Sequence, residues 1–242
     1  MKPFFRHAPL LFAALLPMAG CSSQSDQPAA TATTSQQSKD AEAAGKLDTY
    51  RQLQRIHNDQ MVVEMGHDIL DRYPGTPAAK EVQQSLPAIE QRYTVDSEKN
   101  RLAALWLYQV SPMEGGTQST ATIASSQPAG DDQVKLILRR HTQWGQNAFL
   151  YGSGHGFVCH ANCTIATTVD GKSVGIKAFA PTTGEPALMI RDDKAFIAML
   201  QKAKKISMTV APVDGDKKET LVYEVAGFDP AKWVSVGKGK KK

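Results

Sequence analysis

Large apolar residues recur every three or four positions from Lys46 to about Val110. Leu47, Tyr50, Leu53 and Ile56 come first, and Met61, Val62, Met65, Ile69 and Leu70 follow. This spacing places side chains on one face of an α-helix. Asn58-Asp59 separates the two runs, with Asp59 a candidate N-cap. The stretch from Tyr73 to Pro77 predicts a stop and a restart: Gly75 accepts a positive φ, Thr76 caps, and Pro77 suits a first helical turn. A third helix is expected from Pro77 towards Tyr93, kinked or split where Pro87 removes a hydrogen bond. A further helical stretch is expected from Ser97 to about Val110, with Leu102, Leu105, Trp106 and Val110 on one side.

From Gln133 the period falls to two. Val134, Leu136 and Leu138 alternate with Lys135, Ile137 and Arg139. Short strands are expected at 147–151, 156–159, 163–169, 173–179 and 187–190, with Asp170-Gly171 as a hairpin turn. Asp192-Asp193 opens a helix whose Phe196, Ile197, Met199, Leu200 and Ala203 are spaced to pack on a sheet. Strands at 206–210 and 220–225 form a last hairpin around Asp214-Gly215-Asp216. The expected fold class is α+β: N-terminal helical hairpins, then an antiparallel β-sandwich or open barrel with one covering helix.

Two low-complexity stretches separate these regions. Ser22 to about Ala44 is rich in Ser, Gln, Thr and Ala, with almost no large apolar residue, and reads as a flexible tether. Gly115 to Asp132 reads as a transition, with a short strand at 120–124. Before the tether, Lys2 and Arg6 form a positive start. Pro9 to Met18 is an apolar run too short to span a bilayer, with the size of a secretory h-region.

Ala19-Gly20-Cys21 resembles the lipobox of bacterial lipoproteins, with Met18 where that family usually carries Leu. The resemblance implies that Cys21 is acylated and becomes the first mature residue, carrying three chains including palmitate. More than one acyl chain gives stable anchoring. Ser22, in place of the Asp that marks inner-membrane retention in the family, implies the outer membrane. The expected organisation is a lipoprotein signal peptide at 1–20, a tether at 21–44, a helical region at 45–110 and a linker at 111–132. A β-sandwich-like domain at 133–236 and a basic tail at 237–242 complete it.

Two further resemblances concern the folded regions. Ile69 to Ala79, with Val82, Leu86 and Ile89, is similar to the helix–turn–helix of tetratricopeptide-like (TPR-like) repeats in envelope lipoproteins. It covers one repeat, which implies a hairpin that packs on something else, since solenoids need about three repeats. Gly156-Phe157-Val158-Cys159 and Cys163, then Phe196 and Leu200, then Ile206 to Val210 and Tyr223 to Ala231, resemble invasion-associated locus B-like periplasmic proteins and related type VI secretion accessory lipoproteins. That resemblance implies a β-sandwich without known catalysis, and this chain departs from it at Pro181 to Pro186, which reads as a turn-rich insertion.

The chemistry-bearing residues point the same way. With Cys21 used by lipid, Cys159 and Cys163 remain in an oxidising compartment, the arithmetic of one disulfide. The competing readings are a redox pair, whose spacing does not fit, and a zinc site from His155, Cys159, His160 and Cys163. Gly152-Ser153-Gly154-His155-Gly156 lacks the Lys-Ser/Thr of a P-loop and reads as a turn. Ser153 beside His141 or His155 invites a hydrolase reading, but no acidic partner is identifiable, and no catalytic residue, metal ligand or cofactor is assigned. Arg139-Arg140-His141 is a possible polar contact patch or a solvated edge.

The formal net charge is +4, and without Lys2, Arg6, Lys238, Lys240, Lys241 and Lys242 it falls to −2, so no basic face suggests nucleic acid. The expectation is a non-enzymatic lipoprotein on the periplasmic face of the outer membrane, bound to the membrane through Cys21 and to an envelope protein partner. The alternative is an inhibitor or immunity lipoprotein against a cell-wall hydrolase or secreted toxin.

Overall fold

The structure, a computed structural model, describes residues 29–237 other than His160 and Asp216, with side chains described from Thr34. The expected signal peptide, Cys21 and most of the Lys-rich end lie outside these residues. No helix among the described residues is long and apolar enough to cross a membrane. The chain divides into two compact units between Pro87 and Ala88.

The first unit holds α1 (Ala29–Arg55), α2 (Asp59–Arg72) and the start of α3 (Pro77–Ala104). The stretch expected as a tether is thus helical from Ala29, and Ala43 is fully buried. Its Ala, Gln and Lys residues are strong helix formers even where large apolar side chains are scarce. The cap of α2 is Asn58 rather than Asp59: the Asn58 side chain accepts from the Met61 N–H. Thr76 caps α3 through Ala79, and Gly75 takes φ +81° as its turn requires. Tyr50, Leu53, Val62, Ile69, Val82 and Leu86 are buried. Gly66 lets the helices close up: a Cβ there would meet Leu86 Cδ1 at 2.8 Å. Arg51 grips Glu81 with two hydrogen bonds (2.9 and 2.6 Å), which holds the Glu81 carboxyl below the usual carboxylate range.

Helix α3 runs unbroken past Pro87 and ends at Ala104, so the expected separate helix to Val110 is not formed. Trp106 instead opens β1 (Trp106–Met113), which turns at Glu114-Gly115 into β2 (Gly116–Ala124). The expected linker is therefore largely a hairpin, and the sheet begins well before Gln133. Then follow β3 (Lys135–His141), β4 (Gly145–Tyr151), β5 (Cys163–Val169), β6 (Lys172–Phe179), β7 (Ala187–Ile190), α4 (Asp193–Leu200), β8 (Lys205–Val210) and β9 (Glu219–Glu224). Residues 156–159 form no strand, only an isolated bridge between Phe157 and Pro212.

These nine strands make one open antiparallel sheet, in the order β1-β2-β3-β4-β7-β6-β5-β8-β9. One set of alternating residues points inward along the whole register. Trp106 pairs with Ile123, Ile123 with Leu136, Leu136 with Leu150 and Leu150 with Leu188. Ala178 pairs with Ile190, and Met208 with Leu221. All are buried. Helix α4, capped by Asp192 through the Ala195 N–H, adds Phe196, Ile197 and Leu200 to this core. The connection between β2 and β3 reaches β9: the Ser126 N–H donates to the Val222 carbonyl (2.7 Å), and the Val222 N–H donates to the Gln127 carbonyl (3.0 Å).

Asp170 and Gly171 form the β5–β6 turn with φ of 46° and 84°. The Asp170 carboxylate accepts from the main-chain N–H groups of Lys205 (2.8 Å) and Lys204 (3.0 Å), which hold its carboxyl below the usual range. A depressed folded-state pKa gives stability that is complete above the unfolded value, about 3.9. That stability is lost as pH falls through the folded value. Asp170→Asn should therefore lower stability at neutral pH and flatten its decline below about pH 5, as read by urea melts at successive pH values. An unchanged acid limb would show that this carboxylate is not coupled to folding.

Candidate functional site

The segment between β4 and β5 carries most of the residues with chemical potential. Cys159 and Cys163 are joined in a disulfide with Cα atoms 5.5 Å apart, and Cys163 is the first residue of β5. A disulfide sulfur has no thiolate to offer a metal. Arg191 fastens the same loop, donating to the Ala161 carbonyl (2.8 Å) while its guanidinium lies 4.2 Å from the Phe179 ring centroid. The disulfide thus fixes the loop against the β6–β7 end of the sheet.

His155 has an acidic partner that the sequence order hides. Asp214, on the β8–β9 loop, takes the His155 main-chain N–H on Oδ2 (2.9 Å) and the ring Nδ1 on Oδ1 (2.6 Å). The main-chain bond comes first among the causes that hold the Asp214 carboxyl below its usual range. Gly154 has φ +59°, and a Cβ there would overlap Asp214 Oδ2, so only glycine allows this approach. His155 is 81 % exposed at its side chain, so water surrounds the pair. Among the described residues no hydrogen bond joins Ser153 to His155 or to His141. The pair binds two loops together; it is not part of an assembled nucleophile–base–acid set.

His141 serves the β3–β4 turn. Its Nδ1 accepts from the main-chain N–H groups of Gln143 and Trp144 (both 3.2 Å), and its buried ring stacks on Trp144 at 3.9 Å. Two accepted bonds at Nδ1 fit the tautomer with its proton on Nε2, which is buried without a partner among the described residues. The neighbouring arginines do not form one patch, because alternation sends them to opposite faces. Arg139 lies outward against Phe149 and Trp144 and bonds Asn147 (3.0 Å). Arg140 turns inward under Trp233.

Among the described residues β1 is an end strand with one free edge. The two-residue β1–β2 turn makes Met113 and Gly116 its closing pair, so Met113, Ser111, Gln109 and Leu107 bond β2. Trp106, Tyr108, Val110 and Pro112 then direct their main-chain groups away from β2. Pro112, with no N–H, sits where an edge strand tolerates it. Among the described residues β1 pairs with β2 alone. The strand has no charged residue, and Leu107 (55 %), Val110 (56 %) and Met113 (40 %) are exposed. Sequence reasoning missed this edge because Leu102, Leu105, Trp106 and Val110 also fit a helical period. The signal was the run Trp106-Leu107-Tyr108-Gln109-Val110, rich in strand-forming residues.

No protein-family model, curated protein or solved structure matches the chain.

Proposed function

We propose that this protein is a lipid-anchored envelope protein without catalytic activity, which binds a protein partner through the edge of β1. The observation that carries this reading is the eight-residue edge strand with no charge and three exposed apolar side chains. Natural sheets usually guard such an edge with charged residues, Pro, a bulge or a cover, and β1 carries Pro112 near its end, which leaves Trp106 to Val110 as the open stretch. Left open, it is a template on which another chain adds a strand through main-chain hydrogen bonds. The anchor rests on the lipobox resemblance at Cys21, and the periplasmic face of the outer membrane on Ser22.

A photo-crosslinking residue in place of Val110 should give one discrete adduct in intact envelopes. The adduct should disappear when Leu107 and Met113 are both replaced by Lys, with the thermal melt unchanged. In the same cells Cys21→Ser should leave the protein as unprocessed precursor or release it in soluble form, and unchanged attachment of a processed chain would place the anchor elsewhere. An adduct that survives the double substitution, or none at all, would count against β1 as the interface.

A further inference from the structure

A second strand edge is open inside the sheet. β7 pairs with β6 only at Ala178 and Phe179, because β7 is four residues long and the chain then leaves for α4. Beyond Lys177, whose carbonyl accepts from the Arg191 N–H, β6 has no strand neighbour on that side among the described residues.

Register shows which groups are left. Val169 and Lys172 close the β5–β6 turn, so Lys172, Val174 and Ile176 bond β5. Ser173, Gly175 and Lys177 therefore point their main-chain groups the other way. The Arg191 N–H donating to the Lys177 carbonyl (2.9 Å) fits this parity. Ser173 and Gly175 come next along the edge, and no main-chain bond to them on that side is present among the described residues.

Gly175 lines a cleft of about 330 Å³, and Ser173 follows just beyond its end along the strand; this volume is within the usual range of ligand pockets, about 300–1,000 Å³. Four consecutive β6 residues, Val174 to Lys177, line one wall. A wall of consecutive residues is a strand seen edge-on. Phe196 and Met199 of α4 supply the apolar wall opposite, and Ile190 and Asp192 the end nearest β7. Asp192 uses Oδ1 to cap α4. Lys177 has no carboxylate partner among the described residues, so the cleft offers one cation not paired within it.

We propose that the cleft between β6 and α4 binds an extended peptide, which adds to β6 as an antiparallel strand in line with β7 and sets an acidic side chain opposite Gly175, diagonal to Lys177 on the same face. Ser173 and Gly175 supply up to four main-chain hydrogen bonds. Val174, Ile176, Phe196 and Met199 receive alternate apolar side chains. This site is independent of the β1 edge.

The test uses the full chain, ¹⁵N-labelled, and a blocked peptide of alternating Glu and Val. Saturable shifts are expected at Ser173, Gly175 and Met199, with amide exchange at Ser173 and Gly175 slowed at least about tenfold. Ser173→Pro should abolish binding. Lys177→Glu, at an exposed position, should weaken it about five- to tenfold and favour the same peptide with Lys in place of Glu. Leu107→Lys should leave binding unchanged, which separates this site from the β1 reading. Unprotected amides at Ser173 and Gly175, shifts confined to β1, or equal affinity of the Glu and Lys peptides would overturn the proposal.

Discussion

Trp233→Ala should destabilise the sheet unit by about 3–5 kcal/mol. Trp233 is 2 % exposed. Its indole N–H donates to the Ser119 carbonyl (3.1 Å), and its own carbonyl accepts from Arg140 Nη1 (2.5 Å). The Arg140 guanidinium lies 3.8 Å from the ring centroid, and Phe228 packs at 6.2 Å. Truncation leaves a cavity, removes one of the two donors to the Ser119 carbonyl and uncovers a cation. Burial lowers the Arg140 pKa, and truncation removes the ring face that offsets part of that desolvation. Trp233→Phe separates these effects, because it keeps most of the volume and loses the N–H. It should cost about 0.5–1.5 kcal/mol, the net contribution of one hydrogen bond, since the Ser119 carbonyl keeps its ladder partner on β3. Urea unfolding of both variants checks this, and equal losses would mean that the hydrogen bond contributes nothing.

Gly227→Ala should cost about 3 kcal/mol or more, which for a chain of this size lowers the melting temperature by about 6–12 °C. Gly227 belongs to the turn after β9 (Val225–Gly227). A Cβ there would overlap the Leu102 carbonyl and come within 2.5 Å of the Ala103 nitrogen. These are backbone atoms of α3, so no side chain can swing aside. The same stretch of α3 is tied to β9 by Arg101, which bonds both Glu98 and Glu224. Arg101→Ala, by contrast, removes exposed ion pairs and should cost little. A Gly227→Ala melt close to that of the parent chain would show that α3 can move away from this turn.

Much of the sheet was legible because its signals are local. Asp170-Gly171 predicts a turn, and strands Cys163–Val169 and Lys172–Phe179 flank it. Asp192 predicts a cap, and α4 starts one residue later. β2 was harder to read. Gly116 to Ala124 is mostly small and polar, and only Ser119, Ala121 and Ile123 turn inward. Its strand character comes from pairing on both sides, which a composition window does not register. The α1 region misled for the opposite reason: large apolar residues are few, but a helix needs only one buried row. Of the candidate site, the Cys159–Cys163 disulfide follows from counting cysteines. Asp214 could not be matched to His155, because 59 residues separate them and only the bridge at Phe157 brings the loops together. The free edges of β1 and β6 depend on strand order, which no local pattern encodes.

The inner face of β1 and β2 is covered by residues far along the chain. Phe228 packs on Trp106, the Asp229 N–H bonds the Tyr108 hydroxyl across 121 residues, and Trp233 bonds Ser119 across 114. The first four strands form a meander of adjacent hairpins, whose pairings are short in sequence and quick to form. Loop closure over more than a hundred residues is slow by comparison. The early hairpins therefore expose their apolar inner face for much of the folding reaction. The chain's main hazard is kinetic: in that interval β1 offers both an open face and an open edge to any other unfolded chain.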